Sequence, residues 1–260
     1  MGKILILDIE TAPIKAYVWG LFKQNVGLNM IDRDSYMLSW SAMWLGDKEV
    51  MSDSLPEHKS YVFSASNDRH IVESVWRLLD EADIVVAHNG KGFDIPKINA
   101  RFLQHGIAPP SPYKIVDTLK TARSAFKLTS NKLDYLAQYL GVGKKMSTGG
   151  FELWEGCMNS DPKSWKKMVK YNKRDVLILE KVYKKLRPWI RPHPNLALYD
   201  DKIGRVCPTC GGHHIQKRGN YMTTTGRYQR YQCMNCMTWS RERTHNQTPE
   251  KRKALLNTVA

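Results

Sequence analysis

"ILILDIETAP", residues 4–13, decides the reading of this 260-residue chain. Four consecutive aliphatic side chains, Ile4 to Leu7, specify a strand buried on both faces, the kind that lies inside an α/β sheet. At its end come Asp8 and Glu10, and because side chains on a strand alternate between faces, both carboxylates point the same way. Two like charges so placed repel, so either solvent surrounds them or cations hold them.

Composition narrows the choice. The chain is long enough for one domain with a full core plus a small appendage. With 42% hydrophobic and 25% charged residues it is globular and not intrinsically disordered. Lys and Arg outnumber Asp and Glu by 40 to 25, which suits a polyanionic partner, nucleic acid first and an anionic membrane surface second. No run of about eighteen apolar residues occurs and the N-terminus lacks a signal-peptide pattern, so no membrane partner and an intracellular, cytoplasmic location are expected.

Strand-like runs alternate with amphipathic helices from residue 1 to 187. "KILILDIET" and "SYMLSWSAMWLG" are strands; a helix from Asp68 to Ala82 carries Ile71, Val72, Val75, Leu78 and Leu79 on one face; "ADIVVAHN" is a further buried strand. "SNKLDYLAQYLGVG" reads as a helix with Ser130 near its cap and Gly141 at its end. The pattern predicts a mixed α/β sheet with flanking helices. Residues 188–202, with Pro188, Pro192 and Pro194, read as a linker, 203–245 as a small cysteine-based domain, and 246–260 as a basic tail.

Two more acids join the first pair. Asp94 follows the strand "DIVVAH" and a glycine-containing turn, where α/β folds place ligands, although a helix cap is an equal reading of it taken singly. Asp175 lies in a helix whose apolar stripe is Trp165, Met168, Val176, Leu179, Val182 and Leu186. Tyr171, one turn earlier, falls on or beside the same stripe. An aspartate facing that interior needs a partner, and the spacing fixes none.

"LDIET" (7–11), "HNGKGFD" (88–94) and "YNKRD" (171–175) together resemble the three motifs of the DEDD superfamily of 3'-5' exonucleases, in its tyrosine-bearing subclass, on a ribonuclease H-like fold. The set is similar to the proofreading domains of family B DNA polymerases and to stand-alone ribonuclease H-like nucleases. The resemblance implies that Asp8, Glu10, Asp94 and Asp175 hold two divalent cations, Mg²⁺ or Mn²⁺, for in-line hydrolysis of a terminal phosphodiester, with Tyr171 orienting the attacking water. It implies a nucleic-acid substrate, single-stranded DNA ahead of RNA. Asn89 would hydrogen-bond the substrate, or is simply a turn residue; Phe93 would stack on a terminal base, or is core. The competing class is a degenerate binding or adaptor protein, which predicts loss of at least one acid; all four are present.

Four of the five cysteines sit in "CPTC" (207–210) and "CMNC" (233–236), a spacing that reads as structural Zn²⁺ held by Cys207, Cys210, Cys233 and Cys236 in a zinc ribbon. Met237 stands where many ribbons have glycine. Between the pairs, Lys217, Arg218, Arg227 and Arg230 interleave with Tyr221, Tyr228 and Tyr231, a composition that fits a nucleic-acid grip; the plainer alternative is a structural or protein-docking ribbon.

Overall fold

The computed structural model describes residues 2–199, 201 and 204–256. It divides into two compact units, Lys3–Tyr183 and the residues from Lys184 onward.

The first unit is built on a five-stranded sheet. In chain order its principal strands and helices are β1 (Ile4–Thr11), β2 (Met37–Trp44), β3 (Met51–Ser54), α1 (Arg69–Glu81), β4 (Ile84–Ala87), α2 (Asp94–His105), β5 (Lys114–Asp117), α3 (Thr118–Ala125), α4 (Leu133–Tyr139), α5 (Glu152–Met158) and α6 (Pro162–Leu186), with a short strand pair Lys15–Ala16 and Ile31–Arg33 and a single helical turn Ser60–Phe63 besides. Sheet order is β3-β2-β1-β4-β5, with β1 central, antiparallel to β2 and parallel to β4. This is the mixed ribonuclease H-like sheet the sequence predicts. Centrality explains the aliphatic run: Ile4 to Leu7 are all at most 5% exposed, and each such side chain contributes roughly 1.5–3 kcal/mol when buried. Beyond Leu7 the burial of β1 alternates, Ile9 staying buried while Asp8, Glu10 and Thr11 are half-buried, and its register with β2 shifts between Glu10 and Thr11, the kind of irregularity that re-aims side chains beside a site.

Helix α1 occupies the predicted span and buries Ile71, Val72, Val75 and Leu79. Asp68 just before it is fully buried; its carboxylate takes the Met37 amide (2.7 Å), both Nε and Nη2 of Arg101 (2.7 Å each) and His105 Nε2 (2.6 Å), tying β2, α1 and α2 together. The predicted stripe of α6 is buried throughout. Helix α4 is shorter than predicted: Lys132 holds its N-cap position, Ser130 accepts only the Lys132 amide (3.3 Å), and Gly141 takes φ +64° just past its end. Among the described residues no helix is long and apolar enough to cross a membrane.

The second unit holds a three-stranded antiparallel sheet, β6 (Ile215–Met222), β7 (Arg227–Cys233) and β8 (Trp239–Arg241), with β7 central. The stretch read as a linker is more structured than its prolines suggest: Leu196 is buried and its amide donates to Pro208 O (2.6 Å). The basic tail also begins as folded chain. Asn246 N donates to Arg227 O (2.9 Å), Arg227 N to Gln247 Oε1 (2.8 Å), and a short helix α7 (Pro249–Lys253) follows, its Thr248 cap accepting Lys251 N (3.2 Å). Polar side-chain pairing of this type carries no hydrophobic periodicity, so the sequence pattern alone does not reveal it. Asp200, Lys202, Ile203 and Asn257 to Ala260 fall outside the described residues, so the ends of the predicted linker and tail do too.

Candidate active site and metal centre

The fold brings Asp8 and Glu10 of β1 together with Asp175 of α6, and one carboxylate oxygen from each lies within 4.8 Å of the others. Asp94 stands outside that group at the first position of α2, where its Oδ1 accepts the Ile9 amide (3.3 Å) from between the two β1 acids. Asp94 and Asp175 are buried; Asp8 and Glu10 are half-buried.

Lys145, which no sequence pattern singles out, supplies the partner that spacing could not fix for Asp175. Its Nζ lies 2.5 Å from Asp175 Oδ2 and donates to Tyr171 Oη (3.1 Å). Its backbone amide donates to Asp134 Oδ1 on α4 (2.8 Å), which fixes where the side chain starts. The Tyr171 hydroxyl also helps hold the Asp175 carboxylate in its charged form. Asn172, fully buried, is a second residue absent from the predicted site: Nδ2 donates to Asp8 Oδ2 (2.7 Å), and its Oδ1 accepts Ser39 Oγ (3.4 Å), orienting the carboxylate. Trp154 stands beside Glu10, whose charged form it favours slightly, and meets Tyr171 edge-on, ring centres 6.2 Å apart. The one signal available in the sequence is a polar Asn172 directly beside Tyr171 on a helix's buried side.

The turn before α2 is built around Asp117, at the end of β5. Its carboxylate accepts the amides of Asn89 (3.1 Å) and Lys91 (3.2 Å) as well as those of Leu119 and Lys120. Asn89 takes φ +72°, and its Oδ1 would be 2.7 Å from a Cβ at position 92, so a side chain there would push the Asn89 amide aside. Phe93 is 39% exposed, so it is not core. His88 lies between Thr118 Oγ1 and Asn131 O, each 2.9 Å away; burial lowers it to about 4, which leaves the imidazole neutral near pH 7.

Burial is the leading cause of raised pKa values at all four acids. Glu10 rises to about 8, with Asp175 adding to the effect of burial, and Asp94 rises to about 7. Asp8 is held well above the ordinary range by burial and then by Glu10, Asp94 and Asp175, and Asp175 is raised although Lys145 opposes the shift. Burial would lower Lys145, but Asp175, Tyr171 and Asp8 outweigh it and keep the ammonium charged. Such a cluster of hard oxygen donors with unmet negative charge fits divalent cations.

A profile of the RNase H superfamily (RNase_H_2) matches residues 49–187. The chain belongs to the RNase H superfamily. Its fold is similar to the family B DNA polymerase from the hyperthermophilic archaeon Pyrobaculum calidifontis, with a TM-score of 0.53 and 19% identity over 72% of this chain. The chain spans 25% of that polymerase's length. Comparison with curated proteins returns no match. For an RNase H superfamily member, the acid cluster is a candidate divalent-metal site and supports a nuclease-type function.

The four cysteines of the second unit form a separate candidate metal site, all four sulfurs lying within 4.8 Å of one another. Cys207–Cys236 and Cys210–Cys233 sulfurs are 3.6 Å apart, close to the ~3.8 Å edge of a tetrahedron with Zn–S bonds of ~2.3 Å. The two knuckles repeat one geometry: Gly211 N donates to Cys207 O and Met237 N to Cys233 O, each 2.9 Å. The residue after each second cysteine is left-handed, Gly211 at φ +70° and Met237 at +62°. A methionine there costs about 1–2 kcal/mol, whereas glycine adds unfolded-state entropy of about 0.5–1 kcal/mol. Met237→Gly is therefore expected to stabilise this unit by about 0.5–1 kcal/mol, seen, if the four cysteines hold zinc, as slower release of the metal to a chelator. Faster release would show that the methionine side chain is needed.

Of the predicted nucleic-acid contacts, Lys217 and Arg218 are exposed on β6. Arg227 and Arg230 are partly engaged internally, the first through Asn246 Oδ1 (3.2 Å), the second through Arg218 O (2.8 Å) and the Trp239 ring. Tyr228 lies under Arg241, whose guanidinium carbon is 4.0 Å from the ring centre. Arg241, not among the predicted contacts, completes an arginine and tyrosine face.

Proposed function

We propose that this protein is a metal-dependent 3'-5' exonuclease that removes terminal nucleotides from nucleic acid, single-stranded DNA ahead of RNA. The observation that carries the reading is the meeting of Asp8, Glu10 and Asp175 within 4.8 Å, with Tyr171 one helical turn before Asp175. Asp8, Glu10, Asp94 and Asp175 would hold Mg²⁺ or Mn²⁺, with Asp8 shared between two ions. Bound there, the ions would supply charge neutralisation at the phosphate and a lowered pKa for the attacking water. Asn172 keeps Asp8 turned toward the cluster. The DNA polymerase of similar fold favours DNA as substrate. Parallel digestion of single-stranded DNA, duplex DNA and RNA tests this: the fastest mononucleotide release is expected from single-stranded DNA, and release from RNA alone would reassign the protein as a ribonuclease. In the second unit, Zn²⁺ on the four cysteines would stabilise a ribbon that grips the strand through Lys217, Arg218 and the arginine and tyrosine face.

Tyr171 acts as a positioner. Burial, then Asp175, raises its phenol, so it stays protonated at working pH. Lys145 donates to its oxygen and its hydroxyl also serves Asp175, so the phenol stands beside the acids where a bound water or phosphate would be oriented. Tyr171→Phe keeps the ring against Trp154 and removes the hydroxyl, so kcat should fall about tenfold to a thousandfold with little change in stability. Single-turnover hydrolysis of a saturating oligonucleotide measures it; an unchanged rate reduces Tyr171 to a packing residue.

A further inference from the structure

Beside the acid cluster runs a groove of about 700 Å³ that none of these roles uses. Its rim is cationic: Lys144, Lys145, Lys166, Lys170, Lys173 and Arg174 line it, and no acid does. Its floor is apolar, formed by Met146, Val169 and Leu177. On α6, positions 166, 170 and 173 recur every three or four residues, so their side chains follow one another along a single helix face at about 5–6 Å intervals. Tyr171 and Asp175 occupy the adjoining buried face of the same helix. Among the described residues Lys144, Lys166, Lys170, Lys173 and Arg174 make no ion pair. Five uncompensated cations on one rim repel each other, and a line of anions would relieve that repulsion.

We propose that this groove is the track for the nucleic-acid strand 5' of the scissile bond, its lysines holding successive phosphates while the apolar floor takes sugar and base. Lys145 joins groove and catalytic centre. It lines the groove and its Nζ is also 2.5 Å from Asp175, so a strand lying along α6 delivers its end to the acids. A single strand fits the site because its bases are free to rest on Met146, Val169 and Leu177, whereas stacked bases in a duplex are not. The strand's direction rests on the exonuclease reading; the groove's affinity for a phosphate chain does not.

The test uses the full chain and fluorescent oligothymidylates of two and twelve nucleotides, with binding measured over a salt series without added Mg²⁺ or Mn²⁺. In Lys166→Gln/Lys170→Gln/Lys173→Gln, the slope of log affinity against log salt for the twelve-mer should become shallower by about 2, roughly 0.7 for each phosphate no longer neutralised. Lys170→Gln alone should shift it by about 0.7. The dinucleotide should be affected much less, because it is too short to occupy the acids and the whole rim together. Lys48→Gln/Lys114→Gln/Lys181→Gln removes the same charge from exposed positions outside the groove and should leave the slope where it was. Equal slopes for the groove variants and the intact chain would overturn the proposal, and so would an equal change in the control variant, which would reduce the effect to net charge. Failure of the intact chain to hydrolyse any oligonucleotide would overturn the exonuclease reading and leave the slope comparison standing.

Discussion

Asp8→Asn is expected to lower nuclease activity about a thousandfold or more while making the metal-free protein more stable. The loss follows from removing a ligand that both ions would share, worth several kcal/mol of transition-state stabilisation. The gain follows from the raised pKa values at Asp8, Glu10, Asp94 and Asp175. A carboxyl group whose folded pKa is raised binds its proton more tightly in the folded chain, so metal-free stability is greatest at low pH. It falls as pH rises from the unfolded value of about 4 through the folded values, about 7 for Asp94 and about 8 for Glu10. Removing one charge from the cluster should recover roughly 1–3 kcal/mol at pH 8, a Tm rise of about 3–10 °C, and almost nothing at pH 4. Mg²⁺ should raise the Tm of the intact chain at pH 8 much more than at pH 5, and should do little for Asp8→Asn. Scanning calorimetry at the two pH values with and without Mg²⁺ reads both effects; equal Mg²⁺ stabilisation of the two proteins would remove Asp8 from the metal site.

If the four cysteines hold zinc, Cys233→Ser is expected to unfold the second unit and release the metal. Structural zinc contributes about 10–16 kcal/mol in small metal-built domains, more than a three-stranded sheet with few buried side chains supplies by itself. The acids and Tyr171 all belong to the Lys3–Tyr183 unit, so turnover on a saturating short oligonucleotide should change little. Binding of a longer single strand should weaken, and its salt slope should become shallower by about 0.7 for each phosphate the ribbon no longer neutralises. Metal analysis with binding isotherms checks it. Full zinc retention would exclude Cys233 as a ligand, and unchanged affinity after zinc release would reassign the ribbon to structural support or protein docking.

How far the sequence reaches depends on whether a feature is periodic. Ile4 to Leu7 announce the central strand because its burial on both faces erases alternation. The stripe from Trp165 to Leu186 likewise announces α6 and places Tyr171 and Asp175 on one side of it. Lys145 could not be read in the same way. It lies thirty residues before Asp175 in a segment without helix or strand, and a lysine finds its partner through a flexible chain whose reach no spacing rule fixes. Asn172 was hidden because a polar residue on a helix ordinarily faces solvent, whereas here Asp8 and Ser39 satisfy its amide inside. Asp117 was hidden for a related reason: its carboxylate gathers amides from a turn twenty-six to twenty-eight residues earlier, an arrangement made only once β4 and β5 pair. The basic groove emerges only when the loop at 144–146 folds beside α6, since its lysines read along the sequence as an ordinary solvated face.

If Asp8, Glu10, Asp94 and Asp175 form a metal-dependent centre that consumes nucleic acid from its 3' end, the products reveal it directly. The measurement is a time course on one single-stranded oligonucleotide labelled at its 5' end and, separately, at its 3' end, with Mg²⁺ and with magnesium withheld. Such a centre gives immediate release of the 3' label as a mononucleotide, a ladder shortening one nucleotide at a time from the 5'-labelled strand, and neither without the metal. Internal cleavage, release of the 5' label first, or equal activity without divalent metal would contradict it.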